Sequence, residues 1–105
     1  MRLFLIFTSF FVWILEANAA DDLLAGADEG YGEYLSSECL ACHNQEGSKG
    51  IPAIAGLEAL ILAQKLMAYR SKELENQVMQ LVAGNLDDEQ IASLALYFSK
   101  LGSSN

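Results

Sequence analysis

The stretch SSECLACHNQ, residues 36–45, contains both cysteines of the chain and its single histidine. Two residues separate Cys39 from Cys42, and His43 follows Cys42 directly. On a helix, residues three or four positions apart lie on the same face, so both sulfur atoms and the imidazole would point to one side. Such a group is compatible with a redox-active disulfide, with part of a zinc site, or with the attachment point of a haem.

The rest of the chain favours one of these three alternatives. A disulfide oxidoreductase is expected to carry this motif at a helix start that follows a strand, and no strand pattern precedes Cys39. A structural zinc site needs four protein ligands, so the cysteines and the histidine would require an additional carboxylate. Cys-x-x-Cys-His is the typical signature of haem c attachment, in which Cys39 and Cys42 form thioethers and His43 binds the iron. We therefore expect one covalently attached haem c.

The first residues predict export. A basic residue is followed by the apolar run LFLIFTSFFVWIL, residues 3–15, and by an Ala-Asn-Ala triplet that ends at Ala19. This order is typical of a signal peptide, so we expect cleavage of residues 1–19, with Ala20 as the alternative position. Residues 20–105 then form a single periplasmic domain. An uncleaved membrane tether is the alternative, although a spanning helix needs about 20 apolar residues.

The charge of the chain restricts its partners. The sequence has 14 acidic and 6 basic residues, and its formal net charge is −8. The predicted signal peptide carries one residue of each sign, so the mature domain keeps this charge. An acidic surface is unsuited to nucleic acid and to anionic lipid. We expect a protein partner with a basic docking face, and no stable membrane insertion after cleavage.

Helical patterns predominate in the domain, and no hairpin signal or internal repeat is present. Residues 20–29 are acidic and lack periodicity, so we expect a loose arm. Residues 33–43 are compatible with a helix that runs into the cysteines. Residues 57–70 contain no Gly or Pro and are rich in strong helix formers, which predicts the clearest helix of the chain. A short apolar segment, residues 78–83, precedes a helix stop at Gly84-Asn85.

The last helix has a start signal and one apolar face. Asp87 with Gln90 three residues later resembles a capping box. The apolar face comprises Ile91, Leu94, Ala95, Phe98 and Leu101. The sequence therefore predicts an all-α architecture of three or four helices around a loop, residues 44–56, which contains the only proline.

Over about residues 30–101 the chain resembles the class I c-type cytochromes. The matching segments are GEYLSSECLACH, PAIAGL, a helix that ends in AYR, NQVMQLVAGN and LDDEQIASLALYFSKL. The spacing from Val78 to the last helix is most similar to that of the haem subunit of flavocytochrome c sulfide dehydrogenase. The resemblance implies a monohaem cytochrome c domain, with three to four helices wrapped around one covalently attached haem.

The resemblance also implies a contact between the first and the last helix. The family has a glycine and apolar residues on its first helix that pack against an aromatic residue on its last. The residues of this chain that match are Gly32 and Leu35 on the first helix, and Leu94 with Tyr97 or Phe98 on the last.

His43 leaves one axial position of the iron to another group. The candidates are Met79, Met67, a lysine, water or no ligand. The resemblance implies Met79, which precedes the cap of the last helix at the family's ligand position, whereas Met67 lies inside a helix where a methionine is usually core filler. The resemblance also implies that the carbonyl of Pro52 accepts a hydrogen bond from Nδ1 of His43, although an ordinary loop proline remains an alternative.

Two functions are compatible with these residues. If Met79 and His43 both bind the iron, the domain is an electron carrier and not an enzyme, because no coordination position is open to a substrate. It would act as a soluble shuttle or as the electron-accepting subunit of a dehydrogenase, such as a flavoprotein that oxidises sulfide. If the sixth position is open, a haem-based gas sensor or a peroxidase-type enzyme is the alternative.

Overall fold

The computed structural model describes residues 19–44, 47 and 49–102. The predicted signal peptide lies outside these residues, except for Ala19, where the first helix begins. No helix in the described part of the chain is long and apolar enough to cross a membrane. The helices are α1 (Ala19–Leu24), α2 (Glu29–Leu40), α3 (Ala59–Arg70), α4 (Gln77–Gly84) and α5 (Asp88–Leu101).

Residues 20–29 do not form the loose arm that the sequence suggested. Helix α1 occupies much of this segment and packs against α3 and α5, and its Leu24 contacts the hydrophobic core. The segment is too short to show helical periodicity, so only its tertiary contacts reveal the helix. The described residues therefore form five helices instead of three or four. The predicted all-α fold class is confirmed.

Two helix starts differ from their predicted positions. Helix α2 begins at Glu29, because the Asp28 carboxylate accepts a hydrogen bond of 2.8 Å from the backbone N–H of Tyr31 and caps the helix. The sequence predicted a start at Glu33, but Gly30 and Gly32 lie inside the helix. Helix α3 begins at Ala59, two residues after the predicted start at Leu57.

Helices α2 and α5 pack backbone against backbone at Gly32. A Cβ at this position would lie 2.1 Å from the carbonyl oxygen of Ser93, so only glycine permits this approach. The buried Ser93 hydroxyl accepts a hydrogen bond of 3.0 Å from the backbone N–H of Asp28. The side-chain amide of Gln90 donates to the Tyr31 hydroxyl at 3.1 Å. The contact that the resemblance implied between the helix of Gly32 and the last helix is therefore present, between α2 and α5.

Helix α5 forms one side of the hydrophobic core. Its predicted capping box is present, since Asp87 and Gln90 each accept a hydrogen bond from the other's backbone N–H, at 2.8 and 2.9 Å. Its predicted apolar face is buried, apart from a half-buried Leu101. The core cluster, as we define it, consists of Leu62, Ala63 and Leu66 from α3 and Ile91, Leu94, Ala95 and Phe98 from α5.

Helix α4 packs against α3 and is followed by a turn into α5. It ends at Gly84, as the sequence predicted. Arg70, the last residue of α3, fixes that turn. Its guanidinium donates to the carbonyl oxygen of Leu86 at 3.2 Å and to the carboxylate of Asp88 at 2.7 Å. This arrangement places the methionine segment between the end of α3 and the start of α5.

Candidate haem site

The Cys-x-x-Cys-His motif lies at the C-terminal end of α2. The helix ends at Leu40, so only Cys39 belongs to it, whereas the sequence predicted a helix through His43. The backbone N–H groups of Cys42 and His43 both donate to the carbonyl oxygen of Cys39, at 3.2 and 2.7 Å. Such shared bonds tighten the last turn of a helix and satisfy its terminal carbonyl groups. The motif is therefore held by the helix end although Cys42 and His43 lie beyond it.

The two cysteines have different surroundings. Both thiols are free; Cys39 is half-buried against the core cluster, and Cys42 is exposed. Burial raises the pKa of the Cys39 thiol, and the neighbouring Glu38 carboxylate raises it further, while a backbone hydrogen bond opposes both effects. Cys39 is consequently a protonated, weakly nucleophilic thiol at neutral pH.

His43 has a defined orientation. Its Nδ1 atom lies 2.7 Å from the carbonyl oxygen of Pro52. A carbonyl oxygen can only accept, so Nδ1 carries the proton and donates it to this bond. In the neutral imidazole, Nε2 then keeps an unprotonated lone pair, which is the form that binds a metal. The structure thus places Pro52 and His43 in the contact that the resemblance implied.

Both internal methionines lie beside the core cluster. Met79, on α4, and Met67, on α3, are half-buried and pack against its residues. The backbone N–H of Met79 donates to the side chain of Asn76 at 3.0 Å, so Met79 lies in the first turn of α4 at a capped position. Burial alone does not distinguish the two sulfur atoms as ligands.

Polar residues that hold α4 had not been singled out from the sequence. Asn76 caps the helix, and the side-chain amide of Gln80 donates to the carbonyl oxygen of Leu74 at 2.9 Å. An Asn directly before an apolar helical segment is a typical N-cap signal, so Asn76 could have been recognised. The Gln80 contact depends on how the preceding turn folds, and it leaves no signal in the sequence.

The segments singled out from the sequence meet around one cluster. Cys39 from α2, Ile54 from the proline loop, and both methionines pack against it. Among the described residues, no three His, Cys, Asp or Glu side chains converge as ligands of a metal ion would. Two free thiols, in one motif with an imidazole whose Nδ1 is bonded to a carbonyl oxygen, do fit a covalently attached haem.

Comparisons with known proteins define the family. No family model matches the chain. Cytochrome c-554(548) of Halomonas halodenitrificans is 33% identical to it, over 69% of this chain and 94% of that protein. The cytochrome subunit of sulfide dehydrogenase of Chlorobaculum tepidum is 29% identical, over 83% of this chain and 81% of that protein.

A longer relative is also similar. The thiosulfate dehydrogenase electron acceptor of Stutzerimonas stutzeri is 32% identical, over 84% of this chain and 50% of that protein. The chain spans half or less of the length of the thiosulfate dehydrogenase electron acceptors that it matches.

The chain belongs to the small c-type cytochromes, because its all-helical fold, its Cys-x-x-Cys-His motif and these relatives agree. The predicted resemblance is confirmed, and the sulfide dehydrogenase subunit is among the relatives. The relatives are named as cytochromes and as electron acceptors. The prediction of an electron carrier rather than an enzyme is therefore confirmed at the level of the family.

Proposed function

We propose that the protein transfers electrons through one haem c held by Cys39, Cys42, His43 and Met79. The observation that carries this proposal is the 2.7 Å contact between Nδ1 of His43 and the carbonyl oxygen of Pro52, next to two free thiols. That contact leaves Nε2 of the same ring available to iron. When bound, the haem supplies an iron that changes reversibly between Fe(III) and Fe(II).

Each residue has a distinct role in this proposal. The thiols of Cys39 and Cys42 form the thioether bonds, while His43 is the proximal ligand. Pro52 fixes the tautomer and the orientation of the imidazole through its carbonyl oxygen. The thioether of Met79 would be the second protein ligand of the iron, which would favour the reduced iron and raise the reduction potential. With both side chains bound to the iron, the site would exchange electrons and leave no position for a substrate.

Met79 is preferred to Met67 because of its place in the fold. Met79 lies in the first turn of a short helix, which Asn76 caps and which is followed by the turn that Arg70 fixes. Met67 lies in the third turn of α3. Leu62 and Leu66 of the same helix belong to the core cluster. A methionine in that position fills space between helices.

Export is part of the proposal. Residues 1–19 are a signal peptide, residues 20–105 form the monohaem cytochrome c domain, and the mature protein works in the periplasm. The residue pattern of residues 1–19 supports this. A basic start, an apolar run and a small-residue triplet occur in the order that is typical of a signal peptide. Attachment of haem c takes place in the same exported compartment.

The partner is a dehydrogenase subunit that donates electrons. Relatives of this chain are named as an electron acceptor of thiosulfate dehydrogenase and as a subunit of sulfide dehydrogenase. Helix α4 has exposed Val78 and Leu81 next to Met79. Exposed Glu73 and Glu75 precede this apolar patch. An apolar patch with an acidic border suits a partner whose docking face is apolar at its centre and basic at its rim.

Optical spectra of the purified protein test the carrier function. We expect a covalently attached haem with low-spin His/Met features in both oxidation states, and no spectral change with CO. A high-spin iron that binds CO would support a gas sensor or a peroxidase-type enzyme instead. A colourless zinc protein would refute the assignment altogether.

A matched pair of variants tests the sixth ligand. We expect Met79→Ala to lose the absorption band that arises from methionine sulfur bound to Fe(III), and to become high-spin. Met67→Ala should keep that band, although it loses stability because a core-facing side chain is truncated. Loss of the band only in Met67→Ala would assign the ligand to α3.

Steady-state electron transfer tests the partner assignment. Leu81→Ser lowers the apolar character of the exposed α4 patch, and Ile61→Ser is the matched change on α3, since both side chains are exposed. We expect the first variant to slow reduction by a thiosulfate or sulfide dehydrogenase, and the second to leave it unchanged. Equal rates in all three proteins would exclude α4 as the docking site.

A further inference from the structure

The proline loop is attached to the end of α5. The backbone N–H of Gly56 donates to the carbonyl oxygen of Phe98 at 2.8 Å. Gly102, which caps the C-terminus of α5, lies against the same glycine. A Cβ built on Gly102 would be 2.7 Å from Cα and 2.9 Å from the nitrogen of Gly56. The loop and the helix end are therefore in direct backbone contact, which we call the Gly56–Gly102 contact.

The two glycines are required for different reasons. Gly56 has a φ of +82°, a left-handed conformation that other residues rarely adopt. Gly102 has a φ of −92°, which any residue can adopt. At Gly102 the requirement is therefore purely steric, because the backbone of Gly56 occupies the space of its missing side chain. A substitution at Gly102 changes the distance between loop and helix without straining its own backbone.

The Gly56–Gly102 contact is connected to the haem ligand by a short segment. Pro52, whose carbonyl oxygen accepts from Nδ1 of His43, is four residues before Gly56. Between them, Ile54 packs against the core cluster, and its carbonyl oxygen accepts from the N–H of Leu57 at 3.4 Å. The segment is thus fixed to α5 and the core on one side of Pro52. Its position determines where the Pro52 carbonyl oxygen lies.

We propose that Gly102 is a positioning residue, which holds the Pro52 carbonyl against His43 through the Gly56–Gly102 contact. This inference rests on the proposed function, because its consequence is read at the haem. A hydrogen bond from Nδ1–H to a carbonyl makes the imidazole a more basic ligand, and a more basic ligand stabilises Fe(III) relative to Fe(II). Weakening that bond therefore raises the reduction potential.

The test is Gly102→Ala in the haem-loaded protein. The added methyl group displaces the loop from α5 and weakens the Pro52–His43 bond. We expect a higher midpoint potential and faster solvent exchange of the His43 Nδ1 proton, measured by NMR in the reduced state. Gly84→Ala is the matched control, because its Cβ would meet nothing within 4 Å. It should leave the potential and the exchange rate unchanged.

A second control separates positioning from loss of stability. Ile91→Val removes a methyl group from a buried α5 side chain that does not belong to the loop. It should lower the thermal midpoint of unfolding without changing the potential or the Nδ1 exchange rate. If Gly102→Ala behaves in the same way, the proposal is wrong.

Proton exchange in the unsubstituted protein gives a result even if Gly102→Ala does not fold. We expect the Gly56 amide and the His43 Nδ1 proton to exchange through one common opening, with the same dependence on denaturant. Independent opening, with a much faster Nδ1 proton, would overturn the proposal. Absence of covalent haem from the unsubstituted protein would refute the proposed function, and this inference with it; the spectrum shows this before any variant is compared.

Discussion

Helices α4 and α5 are adjacent in the chain and are stabilised differently. Both begin with a side-chain cap, Asn76 for α4 and Asp87 for α5. In α5 the apolar side chains face the core, and Leu94 is only 2% exposed. In α4 Ala83 is buried and Met79 is half-buried, but the larger side chains of Val78 and Leu81 are exposed, Leu81 to 71%. Packing therefore stabilises α5 more than α4, which has fewer buried side chains and polar contacts at its ends.

This difference matters because α4 carries Met79. A helix with few buried side chains opens at a low free-energy cost, so its position responds to local changes. A helix that forms the core opens only when the whole domain unfolds. Cys39 from the Cys-x-x-Cys-His segment and Ile54 from the proline loop contact the core cluster. Met79 contacts the same cluster, so the proposed ligand on α4 combines a core contact with a helix whose outer face is exposed.

The largest effect on stability is expected from a leucine-to-alanine substitution, compared between α5 and α4. Leu94→Ala should lower the free energy of unfolding by about 2–5 kcal/mol, because it leaves a cavity in the core. Leu81→Ala should change it by less than about 0.5 kcal/mol, because that side chain is largely in solvent. Urea denaturation of both variants measures the pair. Similar losses would mean that α4 is packed as tightly as α5.

Gly32→Ala tests the contact between α2 and α5. The added methyl group would lie 2.1 Å from the Ser93 carbonyl oxygen, so the helices must separate, at a cost of about 1–3 kcal/mol or more. Gly30→Ala, on the same helix, would meet only the capping carboxylate of Asp28, at 3.3 Å and not backbone, and serves as a milder control. Thermal unfolding followed by circular dichroism measures both. A stable Gly32→Ala variant would contradict the close crossing.

Removal of the cap should lower global stability in α5, whereas in α4 it should mainly affect local opening of the helix. Asp87→Ala should lower global stability by about 1–2 kcal/mol, because α5 belongs to the core. Asn76→Ala removes a similar bond, but it should mainly speed amide exchange within α4 and leave the exchange of α5 amides almost unchanged. Hydrogen exchange followed by NMR resolves the two helices. Equal acceleration in both would show that α4 opens only together with α5.

Removal of the Arg70 guanidinium should have the smallest effect. Arg70→Met loses the contacts with Leu86 and Asp88, and because the ion pair is partly exposed we expect a loss of about 0.2–1 kcal/mol that decreases at high salt. Glu89→Gln, in the same first turn of α5, is the control for charge at the helix N-terminus. Urea denaturation at low and high salt compares them. A loss that does not depend on salt would assign the effect to the Leu86 bond.

Patterns of short range were sufficient to predict α5 and to single out candidate site residues. The Asp87–Gln90 pair and the apolar spacing of α5 gave its start and its buried face, because capping and periodicity are local properties. Cys39, Cys42 and His43 were recognised from adjacent residues. Helix α1 was not predicted, because its acidic segment with two leucines has no helical pattern of its own. Its contacts with α3 and α5 stabilise it as a helix.

The sequence by itself determined the helical fold class, the Cys-x-x-Cys-His chemistry and the family, because each depends on residue types at short spacings. The family resemblance implied the Pro52–His43 contact, but only the tertiary structure gave its 2.7 Å geometry and brought Gly102 against Gly56. These contacts join residues that are 9 and 46 positions apart in the chain. Local patterns cannot specify them, because they arise only when the helices have packed around one core.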